Sequence, residues 1–337
     1  MESKIEAALP SAAYEQRLRW ARFVARYGIV FVLLLIVVIL SILTPIIRGE
    51  QLFLTPRNLL QVGLQASINA IIAVGMTFVI TSGGIDLSVG SMVALAGVLA
   101  AMAMKELQIG AFGGFVVAVG VGALCGLFNG FLITRIGLSP FIATLGTMGV
   151  FRGIGLVVSQ GQSIYGFGRE FSQIFAGAVI GIPVPVIVAA IVALLFWFVL
   201  NHTRFGKYTI AIGGSEEITR LAGVPVKNYK MGIYALCGVL TGAAAALLLA
   251  RLSSGDPTFG RFFELDAIAA AVMGGTSLSG GEGTITGTIV GALIISLVQN
   301  AMNLFNVPSY WQDIIVGSVI VAAVILDQLR KRQSRVA

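Results

Sequence analysis

The sequence predicts an all-α polytopic membrane protein of about ten transmembrane helices, with an internal repeat and helices broken at glycine-rich points. Three observations carry that prediction. Of 337 residues, 57% are apolar and 11% charged, far outside the usage of soluble domains. Apolar stretches near the roughly 20 residues that a bilayer crossing requires recur along most of the chain. The basic residues between them gather on one side when alternate loops are compared.

The first 27 residues are mostly polar, carry Arg17, Arg19, Arg22 and Arg26, and read as a cytoplasmic N-terminal segment. The run at 28–46 is too long for a signal-peptide core and lacks a small-residue cleavage pattern, so it reads as a retained anchor. Further runs follow at 62–82, 88–104, 110–133, 141–158, 182–201, 231–250, 265–281, 284–304 and 310–327. Residues 28–328 form one transmembrane domain, and 329–337 a basic cytoplasmic tail. Segments around 52–66, 159–181 and 265–285 are of the kind that breaks, tilts or re-enters, which leaves the count between eight and eleven. With the N-terminus inside, inside loops collect fifteen of the 22 basic residues and outside loops six, with Arg152 in a span. Both termini are therefore expected in the cytoplasm, and the net charge of +7 reflects topology, not nucleic-acid binding. No polar segment is long enough for a soluble catalytic domain. Cys125 and Cys237 lie in apolar spans and read as small buried hydrophobes. The sole histidine, His202, sits at a span end and offers neither a metal site nor a catalytic triad.

An internal repeat is visible. "GGIDLSVG" at 83–90 and "GGTSLSGG" at 274–281 agree at five of eight positions, each between two apolar runs. Paired glycines lower helix propensity and the following Asp or Ser can cap a new helix, so both copies read as helix breaks. Ten spans place the copies in the same orientation, whereas one broken span counted differently would make them inverted halves. LSGGE at 278–282 is one letter from the LSGGQ string of ABC ATPases, but the repeat explains it better. No phosphate-cradling G-x-x-x-x-G-K-[ST] is present; Gly206-Lys207 is followed by Tyr208 and preceded by Asn201 in place of the first glycine. If ATP is used, another chain hydrolyses it.

Ionisable groups at membrane depth are functional candidates because their desolvation is costly. Asp86 follows the first glycine pair, Asp266 and Glu282 flank the second, and Arg152 interrupts an apolar run. Asp86 reads either as a helix cap near the cytoplasmic surface or as a lining of the route; Arg152 reads as a structural pairing or snorkelling residue. Gly122, Gly126 and Gly130, and likewise Gly283, Gly287 and Gly291, recur at four-residue spacing and predict close helix packing.

The long inside loop at 201–230 encodes one short exposed helix. Ser215 is a good N-cap, Glu216 and Glu217 occupy the first turn, Arg220 stands four residues after Glu216, and Gly223 with Pro225 ends the helix. Gly213-Gly214 reads as its hinge. An isolated helix this short is marginal in water, which favours docking on a cytoplasmic partner over a bare connector.

At this point four stretches carry a resemblance: "INAIIAVGMTFVITSGGIDLSVGS", "SPFIATLGTMGVFRG", "RFGKYTIAIGGSEEITRLAGV" and "RLSSGDPTFGRFFELDAIAAAVMGGTSLSGGEGTITGT". They resemble the permease subunit of ribose-type ABC sugar importers, from about residue 30 to the C-terminus. The resemblance implies a multi-pass protein of the bacterial inner membrane working as a dimer with a second permease subunit, two cytoplasmic ATPase subunits and a periplasmic sugar-binding protein. ATP and magnesium would belong to the ATPase, with no cofactor in this chain. It also implies that Gly213, Gly214, Ser215, Glu216, Glu217, Arg220 and Gly223 form the helix that couples to the ATPase. Alternating access would then move the broken segments, making Gly83, Gly84, Asp86, Ser88, Gly274, Gly275, Ser277 and Ser279 the candidate pathway residues. The loops at 159–181 and 251–264 would receive the binding protein, with Arg251, Asp256, Arg261 and Glu264 pairing with its lobes. Ribose or another pentose is the first expected cargo, ahead of galactose, inositol or a furanose signal. A branched-chain amino-acid permease and an ion-coupled secondary sugar carrier are the competing readings.

Overall fold

The computed structural model describes residues 12–308 and positions 311, 314, 315, 317, 318 and 321, with side chains from Gly28 onward. The first eleven residues, most of the expected span 310–327 and the tail 329–337 lie outside the described residues. The helices are α1 (Ala12–Arg48), α2 (Pro56–Thr81), α3 (Val89–Glu106), α4 (Gly110–Phe131), α5 (Pro140–Val158) and α6 (Arg169–Phe175). They continue as α7 (Val184–His202), α8 (Arg204–Gly214), α9 (Glu216–Leu221), α10 (Val226–Leu252), α11 (Phe263–Met273) and α12 (Ile285–Leu304). A π-helical turn, Leu132–Ile136, prolongs α4. Among the described residues there is one two-stranded antiparallel hairpin, β1 (Ala178–Val179) and β2 (Ile182–Pro183), which pairs Val179 with Ile182.

Among the described residues, eight helices are long and apolar enough to cross a bilayer: α1 from Gly28, α2, α3, α4 with its π turn, α5, α7, α10 and α12. The expected span at 265–281 is corrected. Only α11 is helical there, and its 11 residues rise about 16 Å, half a hydrocarbon core. The segment preceding it, 253–262, is irregular and runs back along α3. Gly255 packs against Gly97 and Ala101, and Gly260 against Gly90 and Val93. This stretch and α11 together form one broken crossing, with irregular backbone at depth tolerated because protein surrounds it.

Local chemistry sets the other boundaries. Thr55 accepts from the Asn58 amide while Pro56 occupies the first turn of α2. Gly137, at φ +86°, turns the chain after the π segment, and Pro140 then opens α5. Helices α2 and α10 are the most buried, whereas α1 and α7 expose side chains such as Phe31, Leu35, Leu194 and Phe198. In a chain of this composition those outward faces meet lipid.

The glycine spacing in α4 finds its partner in α10. Gly122 and Gly126 pack against the backbone of Gly238 and Tyr234, and Gly238 and Gly242 pack reciprocally against α4. Gly287 and Gly291 likewise meet Gly274 and Ala270 of the broken crossing, but Gly283 precedes α12 and faces Thr81. A side chain at Gly122 would overlap the backbone of α10, whereas one at Gly120 meets open space. Gly122→Val is therefore expected to lower stability by about 1–3 kcal/mol, the usual cost of overpacking, with Gly120→Val near neutral. Thermal unfolding of both variants in detergent checks the pair.

Candidate functional site

The two repeat copies form the same backbone device. After α2, the Gly83 amide bonds Ile80 O and the Gly84 amide bonds Val79 O, with Gly83 left-handed at φ +80°. After α11, the Gly275 amide bonds Val272 O and the Thr276 amide bonds Ala271 O, with Gly275 at φ +95°. Both are Schellman caps, which satisfy terminal carbonyls and require a residue tolerant of positive φ. The structural equivalence is Gly83 with Gly275, one residue off the letter-by-letter alignment. Both helices run into breaks that meet, so the copies share one orientation.

The restarts differ. In the first copy Asp86 Oδ1 accepts from the Ser88 amide at 2.9 Å and the Ser88 hydroxyl at 2.6 Å, ahead of α3. In the second, Ser277 accepts from the Ser279 amide within a turn closed by the Gly280 amide on Ser277 O. Helix α12 begins later, at Ile285, capped by Thr284 on the Gly287 amide. The expectation that the second copy's serine starts its helix is thus corrected.

Asp86 is not the cap of α3, whose N-cap position is Ser88; it closes the turn before that helix, and both residues are wholly buried inside the bundle. Asn129 of α4 donates to both carboxylate oxygens at 3.3 Å and to Ser88 Oγ at 2.8 Å, while Thr147 of α5 donates to Asn129 Oδ1 at 2.7 Å. The Tyr234 hydroxyl approaches closely where Gly84 lacks a side chain. Asn129, Thr147 and Tyr234 were not anticipated, since lone polar residues in apolar runs give no sign of converging on one carboxylate.

The breaks then meet the long loop. Thr81 O accepts from the Gly281 amide at 2.9 Å, and Gly213 is wedged against both segments. A Cβ on Gly280 would lie 3.0 Å from Gly213 Cα and 3.1 Å from Gly83 Cα. Gly213 and Gly214 are not a free hinge; they form the last turn of α8. Ser215 follows as N-cap of α9, accepting from the Ile218 amide at 3.3 Å. Glu216 and Glu217 stand in its first turn, and Gly223 leaves it at φ +84°. Glu216 pairs with Lys230 of α10 at 2.8 Å, not with Arg220, and so ties α9 to the bundle. Ile218 and Leu221 remain 69% and 72% exposed, presenting an apolar face on a polar loop.

At the far end of α10 the two long loops are one surface. Ile164 and Gly255 exchange backbone hydrogen bonds at 2.8 and 2.9 Å, and Ser163 donates to Asp256. Thr258 donates to Asp256 as well, through its amide at 2.7 Å and its hydroxyl at 2.6 Å. Arg152 of α5 donates to Pro257 O at 2.7 Å and Phe259 O at 2.6 Å, satisfying carbonyls of the irregular stretch. Arg251 donates to Gln61 at 3.2 Å, Glu264 packs beside Gly90, and Arg261 is exposed. A groove of about 380 Å³ lies between the loops, lined by Phe167, Arg169, Ser172 and Ser253 among others.

Comparison with known proteins follows the same outline. A family model described as "Branched-chain amino acid transport system / permease component" matches residues 58–324. The ribose import permease protein of Bacillus subtilis (strain 168) is 44% identical over 316 residues, covering 93% of this chain and 96% of its own length. The D-allose transport system permease protein of Escherichia coli (strain K12) is 40% identical over 318 residues, covering 94% and 96%. The L-arabinose ABC transporter permease protein of Azospirillum brasilense is 39% identical over 317 residues, covering 93% and 91%. No solved structure matches the chain. With the family model spanning most of the sequence and sugar permeases matching nearly end to end, the chain belongs to the family of ABC-transporter permease components that includes them.

Proposed function

We propose that this chain is the membrane subunit of an importer that moves a monosaccharide, ribose or another pentose first, across the bacterial inner membrane. The permease itself is a transport component. A separate cytoplasmic ATPase binds ATP and magnesium and supplies the work, and a periplasmic binding protein delivers the sugar. The positive-inside bias supports both termini lying in the cytoplasm, with α9 on that side and loop 159–168, joined at Ile164 to the start of the broken crossing, outside. A second copy of the chain completes the pathway. The exposed face of α5 supports that pairing, since Gly146, Gly149 and Gly153 have open space around them and allow close approach of another helix.

The observation that carries the reading is the junction of Gly213 with Thr81 and Gly281, immediately before an exposed α9. Force on α9 reaches both helix breaks through one turn of backbone. Those breaks, Gly83 to Ser88 and Gly274 to Ser279, are then the moving parts that alternate access. The amino-acid reading gains less support: the family description names branched-chain amino acids, but the relatives with identity along nine-tenths of the chain are sugar permeases. An ion-coupled carrier would leave the exposed Ile218 and Leu221 without a partner.

Ile218→Asp with Leu221→Asp tests the coupling helix. Co-purification with the cytoplasmic ATPase subunit is expected to fall at least tenfold, as for loss of buried interface anchors worth more than about 1.4 kcal/mol. Retention of the ATPase at the original level would remove α9 from the interface.

A further inference from the structure

A polar seam lies between α2 and α12, apart from the breaks and the loops discussed above. At one end Asn58 and Asn300 exchange side-chain hydrogen bonds at 3.1 and 2.7 Å. Deeper, Gln65 donates to Gln299, which donates in turn to Asp266 of α11 at 3.0 Å. Near the other end Thr77 and Thr288 share a hydrogen bond at 2.8 Å. The pairs run in opposite directions along the two helices, so α2 and α12 are antiparallel and the seam spans most of their length.

Its middle lacks a rung. Asn69 is one turn beyond Gln65 and Ser296 nearly one turn before Gln299, which puts them at the same level. Both are buried, and among the described residues neither the Asn69 amide nor the Ser296 hydroxyl has a hydrogen-bond partner. Polar pairs act as glue between membrane helices when each satisfies the other, but an unsatisfied amide at depth is a cost without a return. Along α2 the stripe grades from exposed Gln61, held by Arg251, through half-buried Gln65 to buried Asn69. The seam therefore opens beside the joined loops and leads toward the breaks at Thr81 and Gly281.

We infer that this seam is a binding site for the hydroxyl groups of the transported sugar, with Asn69 and Ser296 at its centre and Gln65, Gln299 and Asp266 above them. The inference rests on the importer reading. A sugar hydroxyl both donates and accepts, so it can replace either amide of the Gln65–Gln299 rung, and it satisfies Asn69 and Ser296 as no described residue does.

The test uses the assembled transporter in proteoliposomes, first with a panel of pentoses and hexoses and their loaded binding protein. An unaltered complex that moves none of them overturns the importer reading, and the ligand assigned to the seam with it. For the sugar that is moved, Asn69→Ala and Ser296→Ala are each expected to cut uptake about tenfold, on the scale of one lost hydrogen bond to a substrate. ATPase stimulation by the loaded binding protein and the melting temperature should not fall below the unaltered values. Asn69→Cys should be labelled by a small membrane-impermeant thiol reagent during turnover and protected by excess sugar. Unchanged uptake in the alanine variants, a parallel fall in uptake, ATPase and melting temperature, or a cysteine never labelled would overturn the seam as a sugar site.

Discussion

Gly213→Val is expected to lower ATP-driven sugar uptake by at least a hundredfold while the ATPase stays bound. The position touches Thr81 O and the Gly281 amide, so a branched side chain has no room unless the two breaks separate. Backbone cannot yield as a flexible side chain can, and steric insertion at a packed site costs about 1–3 kcal/mol or more. In a transporter whose conformations differ by only a few kcal/mol, a wedge of that size holds one of them. Gly214→Val is the control. The next residue has open space around its Cβ position, and uptake is expected to remain within a few-fold of the unaltered protein. ATPase activity and uptake measured together distinguish a locked transporter from an unassembled one.

Arg152→Met has the second large effect. The guanidinium bonds two carbonyls of the irregular stretch that precedes α11. Removing it leaves Pro257 O and Phe259 O without those donors, at about 1–3 kcal/mol each for buried groups. The broken crossing should loosen from α3, which protease susceptibility near residues 255–262 and thermal unfolding would register. Arg152→Lys restores a charge but presents no planar fork for two carbonyls, so partial recovery is expected. Full stability in Arg152→Met would mean that α3 contacts alone hold the stretch.

Hydropathy made the long spans legible, because a bilayer-length apolar run has few other uses. It misled at 265–281, where the apolar letters run on but the helix stops at Met273. What ends it is a pair of backbone hydrogen bonds and a left-handed Gly275, which mean hydropathy does not register. The four-residue glycine spacing foretold tight packing in α4, but not that Gly238 and Gly242 would receive it, since partner choice is tertiary. Helix α9 was readable from Ser215, Glu216 and Gly223 because caps are local. The partner of Glu216 was not: a neighbour within the same helix suggested Arg220, whereas the fold supplies Lys230 from the helix that follows. Arg152 stood out as a charge at membrane depth, but its partners are backbone carbonyls more than a hundred residues away. The centre of the α2–α12 seam left still less trace, because Asn69 and Ser296 are single polar letters in apolar runs.

The most direct test of the account is ribose uptake by proteoliposomes holding this chain and the proposed ATPase subunit, with the binding protein supplied outside. The account predicts accumulation against a gradient that requires ATP inside and the loaded binding protein outside, and that is indifferent to collapse of the proton and sodium gradients. Uptake by the chain alone, driven by an ion gradient and insensitive to ATP, would contradict it.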